Sequence, residues 1–171
     1  MASDMFYAGG MLVGIILVVW AVTRKSGKAR HYDEMQQKIR ADGYRLGFFV
    51  TLVLLTVTMF ALEMGLDRTV APSLAVYAAM MLGLTVFAVY CIRHEAFISI
   101  GCQGKQFLIT YALVTALNAI VAVRKLQEGT AVVDGRLTLS FGAPALLSLC
   151  FLVVLITLGV KMAHSGKEVS E

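Results

Sequence analysis

Five stretches of this chain contain no Asp, Glu, Lys or Arg: Met5–Thr23, Leu46–Leu62, Thr69–Ile92, Gln106–Val123 and Leu137–Val160, each between 17 and 24 residues long. A hydrocarbon core about 30 Å thick takes roughly 20 helical residues to cross. In lipid only a helix or a closed barrel satisfies every backbone N–H and C=O. Barrel strands would be about ten residues long and would alternate polar with apolar side chains, and runs such as Leu52-Val53-Leu54-Leu55 do not alternate. The pattern predicts helices over about 5–23, 46–64, 72–92, 106–123 and 143–162. With 15% charged residues and a mean hydropathy of +0.78, against about a quarter charged in soluble domains, a water-soluble monomer is excluded. The expected fold is all-α: one membrane domain over 1–171, with five transmembrane helices in a bundle.

The first stretch is read as a retained helix rather than a secretory signal. Asp4 is the only charge before it, and Trp20-Ala21-Val22-Thr23 offers no clear cleavage site. Trp20 suits an interfacial anchor. The 17-residue second stretch still spans if Arg45 and Glu63 lie at the boundary.

Orientation follows the basic residues of short loops. Eleven of the fifteen fall on the side holding the linker 24–45, the loop with Arg93 and Lys105, and the C-terminal tail with Lys161 and Lys167. The other side holds Arg68, Arg124, Lys125 and Arg136, of which Arg124-Lys125 is the conflicting pair. The N-terminus is expected outside and the C-terminus inside.

The outer loop 124–142 contains Ala131-Val132-Val133-Asp134-Gly135-Arg136-Leu137-Thr138-Leu139. Asp-Gly suits the left-handed dihedrals of a type I′ turn, so this segment reads as a small β-hairpin resting against the helix ends, with an irregular loop as the alternative. Gly142 and Pro144 then place the start of the last helix near Ala143.

The inner linker carries a basic run, Arg24–Arg30, followed by Tyr32-Asp33-Glu34-Met35-Gln36-Gln37-Lys38-Ile39-Arg40. Asp33 and Gln36 have capping-box spacing, and Glu34 with Lys38 form an i,i+4 pair. Tyr32, Met35 and Ile39 fall on one face. A short amphipathic helix along the inner surface is expected, stopped or kinked at Gly43. It would contact anionic lipid or dock a cytoplasmic partner. The candidate contact residues are Arg30, Tyr32, Asp33, Glu34, Met35, Lys38, Ile39 and Arg40, with Arg93, Glu95 and Lys105 of the next inner loop. Positive charge beside a membrane needs no nucleic acid to explain it.

Catalytic machinery is not legible. Cys91, Cys102 and Cys150 form no C-x-x-C, and His31, His94 and His164 lie in separate segments, so no metal or other cofactor is expected. Walker, H-E-x-x-H and G-x-S-x-G motifs are absent from the sequence. The helices also lack the intramembrane acid or base on which ion coupling depends. Asn118, the single asparagine, falls mid-helix and is expected to bond across to another helix, with Thr85, Ser148 and Thr157 as candidate partners. Gly10 and Gly14 form a G-x-x-x-G that allows close helix contact and homo-oligomers. Ala75/Ala79/Gly83 and Ala112/Ala116 form similar small-residue stripes.

Several of these segments together resemble a family of uncharacterised small multi-helix integral membrane proteins of Firmicutes. Tyr32-Asp33-Glu34-Met35-Gln36, Ile39-Arg40, Gly43-Tyr44 and Gly47-Phe48-Phe49 are similar to its D-E-[RM]-Q…G-F-F segment. Glu95-Ala96-Phe97-Ile98 before Lys105-Gln106-Phe107 resembles its D-A-[YF]-F loop, and Asp134-Gly135-Arg136-Leu137-Thr138 its D-G-x-L-T hairpin. Asn118 stands at its G-x-x-N. Glu95 replaces the usual Asp, and Ala143-Pro144 stands where the family often has an Asn. The resemblance implies four core helices plus an N-terminal one in a bacterial cytoplasmic membrane, and carries no activity. The functional expectation is a non-enzymatic accessory or sensory component acting through its cytoplasmic loops. A small transporter, or a transporter subunit, for an apolar or amphiphilic solute is the alternative. A membrane enzyme built on Arg93, His94 and Glu95 is a third.

Overall fold

The computed structural model describes residues 33–98 and 104–168, with side chains defined over 33–98 and 107–163. The expected helix over 5–23 with Gly10 and Gly14, the candidates Arg30 and Tyr32, and the side chain of Lys105 lie outside the described residues. Four helices run through the described part: α1 Glu34–Glu63, α2 Pro72–Arg93, α3 Gly104–Gln127 and α4 Leu139–Glu168. All four contain segments long and apolar enough to cross a membrane. Apolar side chains such as Phe49 and Ile109 are more than 60% exposed, which a chain in water would have to cover and a chain in lipid does not. This is a helical membrane protein.

The helices pack in the order α1, α2, α4, α3, with the last helix between the second and third. Ile92 of α2 and Val154 and Leu158 of α4 form the buried centre, flanked by Phe97, Leu108 and Tyr111. Small residues set the α1–α2 crossing. Gly43 and Gly47 are the buried residues of α1, and Ala75, Ala79 and Gly83 are buried on α2. A Cβ on Gly83 would overlap Thr51 and lie 3.2 Å from the Gly47 carbonyl oxygen. Close backbone approach of this kind is how helices associate where lipid removes the hydrophobic drive.

Three expectations about element ends are corrected. First, no separate amphipathic helix ends at Gly43. Glu34 to Glu63 is one 30-residue helix, roughly 45 Å long at 1.5 Å per residue and so about ten residues longer than the hydrocarbon core requires. Gly43 is a packing residue, its missing side chain filled by Tyr90, Cys91 and Phe87. Second, α4 begins at Leu139 rather than near Ala143. Gly142 donates its N–H to the Thr138 carbonyl and gives up its side-chain space to Leu74, while Pro144 lies inside the helix. The bond Pro144 cannot make is to the carbonyl of exposed Ser140, where water or a headgroup can substitute. Third, α3 continues past Val123 and takes Arg124 and Lys125 into its last turn, where cations complement the exposed carbonyls.

Between α3 and α4, β1 (Val132–Val133) pairs antiparallel with β2 (Arg136–Leu137). Asp134 and Gly135 carry φ of 51° and 74°, as the two central positions of a type I′ turn require. The ladder is short, but Leu137 exchanges backbone hydrogen bonds with Thr69 and Ala71 before α2, and Arg136 lies 3.8 Å from Asp67 of the 3₁₀ turn Leu66–Arg68. The hairpin is held by the ends of α1 and α2.

Candidate functional site

Three polar residues that bridge helices, Gln36, Glu95 and Lys161, gather at the end of the molecule holding Asp33 and Arg93. The helix terminus itself builds this site. At the end of α2, Glu95 donates its N–H to the Ile92 carbonyl and Ala96 donates to the Cys91 carbonyl. This is a Schellman cap, and its left-handed position, with φ of 60°, is Glu95 where glycine is usual. α3 closes the same way with Gly129 in that position. A side chain there costs about 1 kcal/mol of backbone strain. Ala96, the next residue, is fully buried and anchors the turn.

The Glu95 side chain is used. Lys161 Nζ of α4 donates to its Oε1 at 2.8 Å, and the Lys161 ammonium holds the carboxyl below the usual carboxylate range, first through that hydrogen bond and then through charge. The Glu95 backbone carbonyl accepts from Gln36 Nε2 of α1 at 2.8 Å. One residue thus ties α1, α2 and α4 together. Gln36 is thereby drawn away from the expected capping box: Asp33 Oδ1 accepts from the Glu34 N–H at 2.7 Å, and Gln36 Oε1 is buried with no donor among the described residues.

The other candidates divide. Glu34, Met35 and Lys38 are exposed, and Ile39 and Arg40 are half-buried. Glu34 and Lys38 do not form the expected ion pair, which is worth little on an exposed helix; Asp42 and Arg45 do pair, at 3.5 Å. Arg40 Nη2 lies 3.4 Å from the Tyr44 hydroxyl, and the Tyr44 ring stacks on Phe87 of α2 at 4.3 Å. Arg93 and His94 are exposed, with His94 beside the Tyr90 ring.

Asn118 is remote from this cluster. Its Nδ2 donates to the Val114 carbonyl of its own helix at 2.8 Å, which corrects the expected bond to a neighbouring helix. Thr85 and Thr157 likewise bond within their own helices; Ser148 crosses, but to the Thr115 carbonyl. In an apolar medium the i−4 carbonyl is the nearest acceptor for a short polar side chain, and it suffices.

Three open grooves of about 410, 490 and 370 Å³ adjoin the cluster. The first lies under the Glu95–Lys161 pair against Phe97 and Leu158, and the other two share Val89 and Arg93. Asn118 lines none of the three.

Sequence reasoning missed Gln36 as a bridge and Lys161 as a partner, counting the latter only toward orientation. It also missed Gly43-Tyr44-Arg45-Leu46-Gly47, a G-x-x-x-G as plain as Gly10–Gly14, because Gly43 was assigned to a helix end. Among known proteins, no family, no curated protein and no solved structure matches this chain.

Proposed function

We propose that this chain is a non-enzymatic accessory or sensory component of a bacterial cytoplasmic membrane, oriented with its N-terminus outside and C-terminus inside. It engages a protein partner through the first turns of α1 and the Arg93–Glu95 turn. One observation carries this reading: Gln36, Glu95 and Lys161 fasten three helices at this end, while Asn118 and most of the described threonines bond within their own helices. The fastening makes a fixed platform of the exposed charges around it, Glu34, Lys38 and Arg93, and a partner that docks on such a platform needs little further ordering of it. A partner arriving here would also feel the ten-residue extension of α1.

Affinity capture after cross-linking in intact membranes tests it. A reproducible partner is expected, lost by about tenfold when Arg30, Lys38 and Arg40 are each replaced by Glu while membrane insertion is unchanged. Recovery of no partner, or of one insensitive to the three substitutions, refutes it. A solute-transporting role gains no support from Asn118, which reaches its own helix and none of the three grooves.

A further inference from the structure

Two of the three grooves belong together. The larger runs between α2 and α4, walled by Val89, Ile156 and Val160, and ends at Arg93 and Lys161. The other shares Val89 and is lined by Leu46, Val86 and Val153, with Arg93 and His94 at one end. The walls are mainly apolar along the helices, with Thr157 in one and Thr85 and Tyr90 in the other, and cationic at one end. Arg93 stands where they converge, immediately after the charge-free stretch Thr69–Ile92, at the depth where a membrane changes from hydrocarbon to headgroup.

The charges at these two grooves do not cancel. Lys161 is taken by Glu95 at 2.8 Å, and no carboxylate lines either groove among the described residues. Arg93 is exposed and forms no ion pair among the described residues. A guanidinium offers a planar fork of donors that fits a phosphate on two oxygens, and basic pockets between transmembrane helices on the cytoplasmic side suit anionic headgroups. We propose that the two grooves and Arg93 form a binding site for one anionic diacyl phospholipid, an acyl chain in each groove and the phosphate on Arg93, with His94 and Lys161 flanking the headgroup. Two mainly apolar grooves that share one cation suit the two chains and single phosphate of a diacyl lipid, which neither a single-chain amphiphile nor a soluble anion would fill. The site depends on the chain lying in a membrane, and is independent of whether the same end recruits a protein.

Native mass spectrometry of the full-length chain, titrated with phosphatidylglycerol or phosphatidylcholine in mild detergent, tests the proposal. Phosphatidylglycerol is expected to bind at least about fivefold more tightly, Arg93→Gln to abolish that preference, and Arg93→Lys to keep part of it. Because Arg93 is exposed, the fold should tolerate both changes, and circular dichroism checks this. Val89→Phe, which fills the shared wall, is expected to weaken both lipids alike. Equal affinity for the two lipids, or a preference that survives Arg93→Gln, overturns the proposal. So does displacement of phosphatidylglycerol by millimolar inorganic phosphate, which would reveal a soluble-anion site. A photoreactive side chain introduced at Ile156 that captures the 5–23 segment instead of lipid also overturns it. Lipid binding and partner capture are read out separately, so each proposal can fail without the other.

Discussion

Glu95 accepts backbone strain at φ 60° in exchange for a carboxylate that reaches Lys161, and this exchange has a pH signature. The folded carboxyl titrates below its usual range because of Lys161, so the unfolded chain binds a proton more readily than the folded one. The pair's contribution is therefore complete above the ordinary carboxylate range and is lost as pH falls through the lowered folded value. Its side chain is 70% exposed, so solvent screens the pair and the effect is small. Melting in detergent across the acid range should show the wild-type chain losing more thermal stability than Glu95→Gln; identical curves would mean the pair contributes nothing. Glu95 stood out in the sequence as a charge beside a long apolar stretch. Its role as a helix cap was hidden, because the residue expected at a left-handed terminus is glycine or asparagine. Asn118 was hidden for the opposite reason: its amide signals a hydrogen bond, but the choice between its own helix and a neighbour depends on packing that one chain position does not encode.

Helices α1 and α2 cross on glycine, and that contact can be tested by adding one methyl group. Gly83→Ala must push against Thr51 and the Gly47 backbone, and overpacking of this kind costs about 1–3 kcal/mol. Gly159 has nothing within 4 Å of an added Cβ, so Gly159→Ala should be neutral or slightly stabilising through helix propensity. Thermal unfolding of both variants in the same detergent checks the contrast; equal effects would place the crossing elsewhere. The interiors of the spans were plain in the sequence, since absence of charge over about 20 residues leaves few alternatives. Their ends were not. Hydropathy marks where lipid begins, whereas a helix stops where caps and neighbours stop it. α1 therefore runs on through Gly43, α3 through Arg124 and Lys125, and α4 starts before Pro144. The Asp134-Gly135 turn was legible because its φ requirement is local.

Across the whole molecule, the proposed orientation rests on the distribution of charge, and the conflicting Lys125 has a local structural explanation. On the side expected to face out, Lys125 Nζ pairs with Glu128 at 2.7 Å and Arg136 approaches Asp67. The pairing with Glu128 and the exposed carbonyls at the end of α3 give Lys125 a local reason to be there, independent of topology. On the opposite side Lys38 and Arg93 form no ion pair among the described residues. On the proposed orientation, which follows the positive-inside bias, Met35 would face the cytoplasm and the hairpin the outside. In a background with Cys91, Cys102 and Cys150 replaced, Val133→Cys, half exposed on the hairpin, should react with an impermeant maleimide in intact cells. Met35→Cys, 70% exposed at the start of α1, should react only after permeabilisation. The reverse pattern would invert the topology and remove the partner platform from the cytoplasm. The grooves at Arg93 would remain, facing the outer leaflet, where the phosphatidylglycerol titration would still report on them.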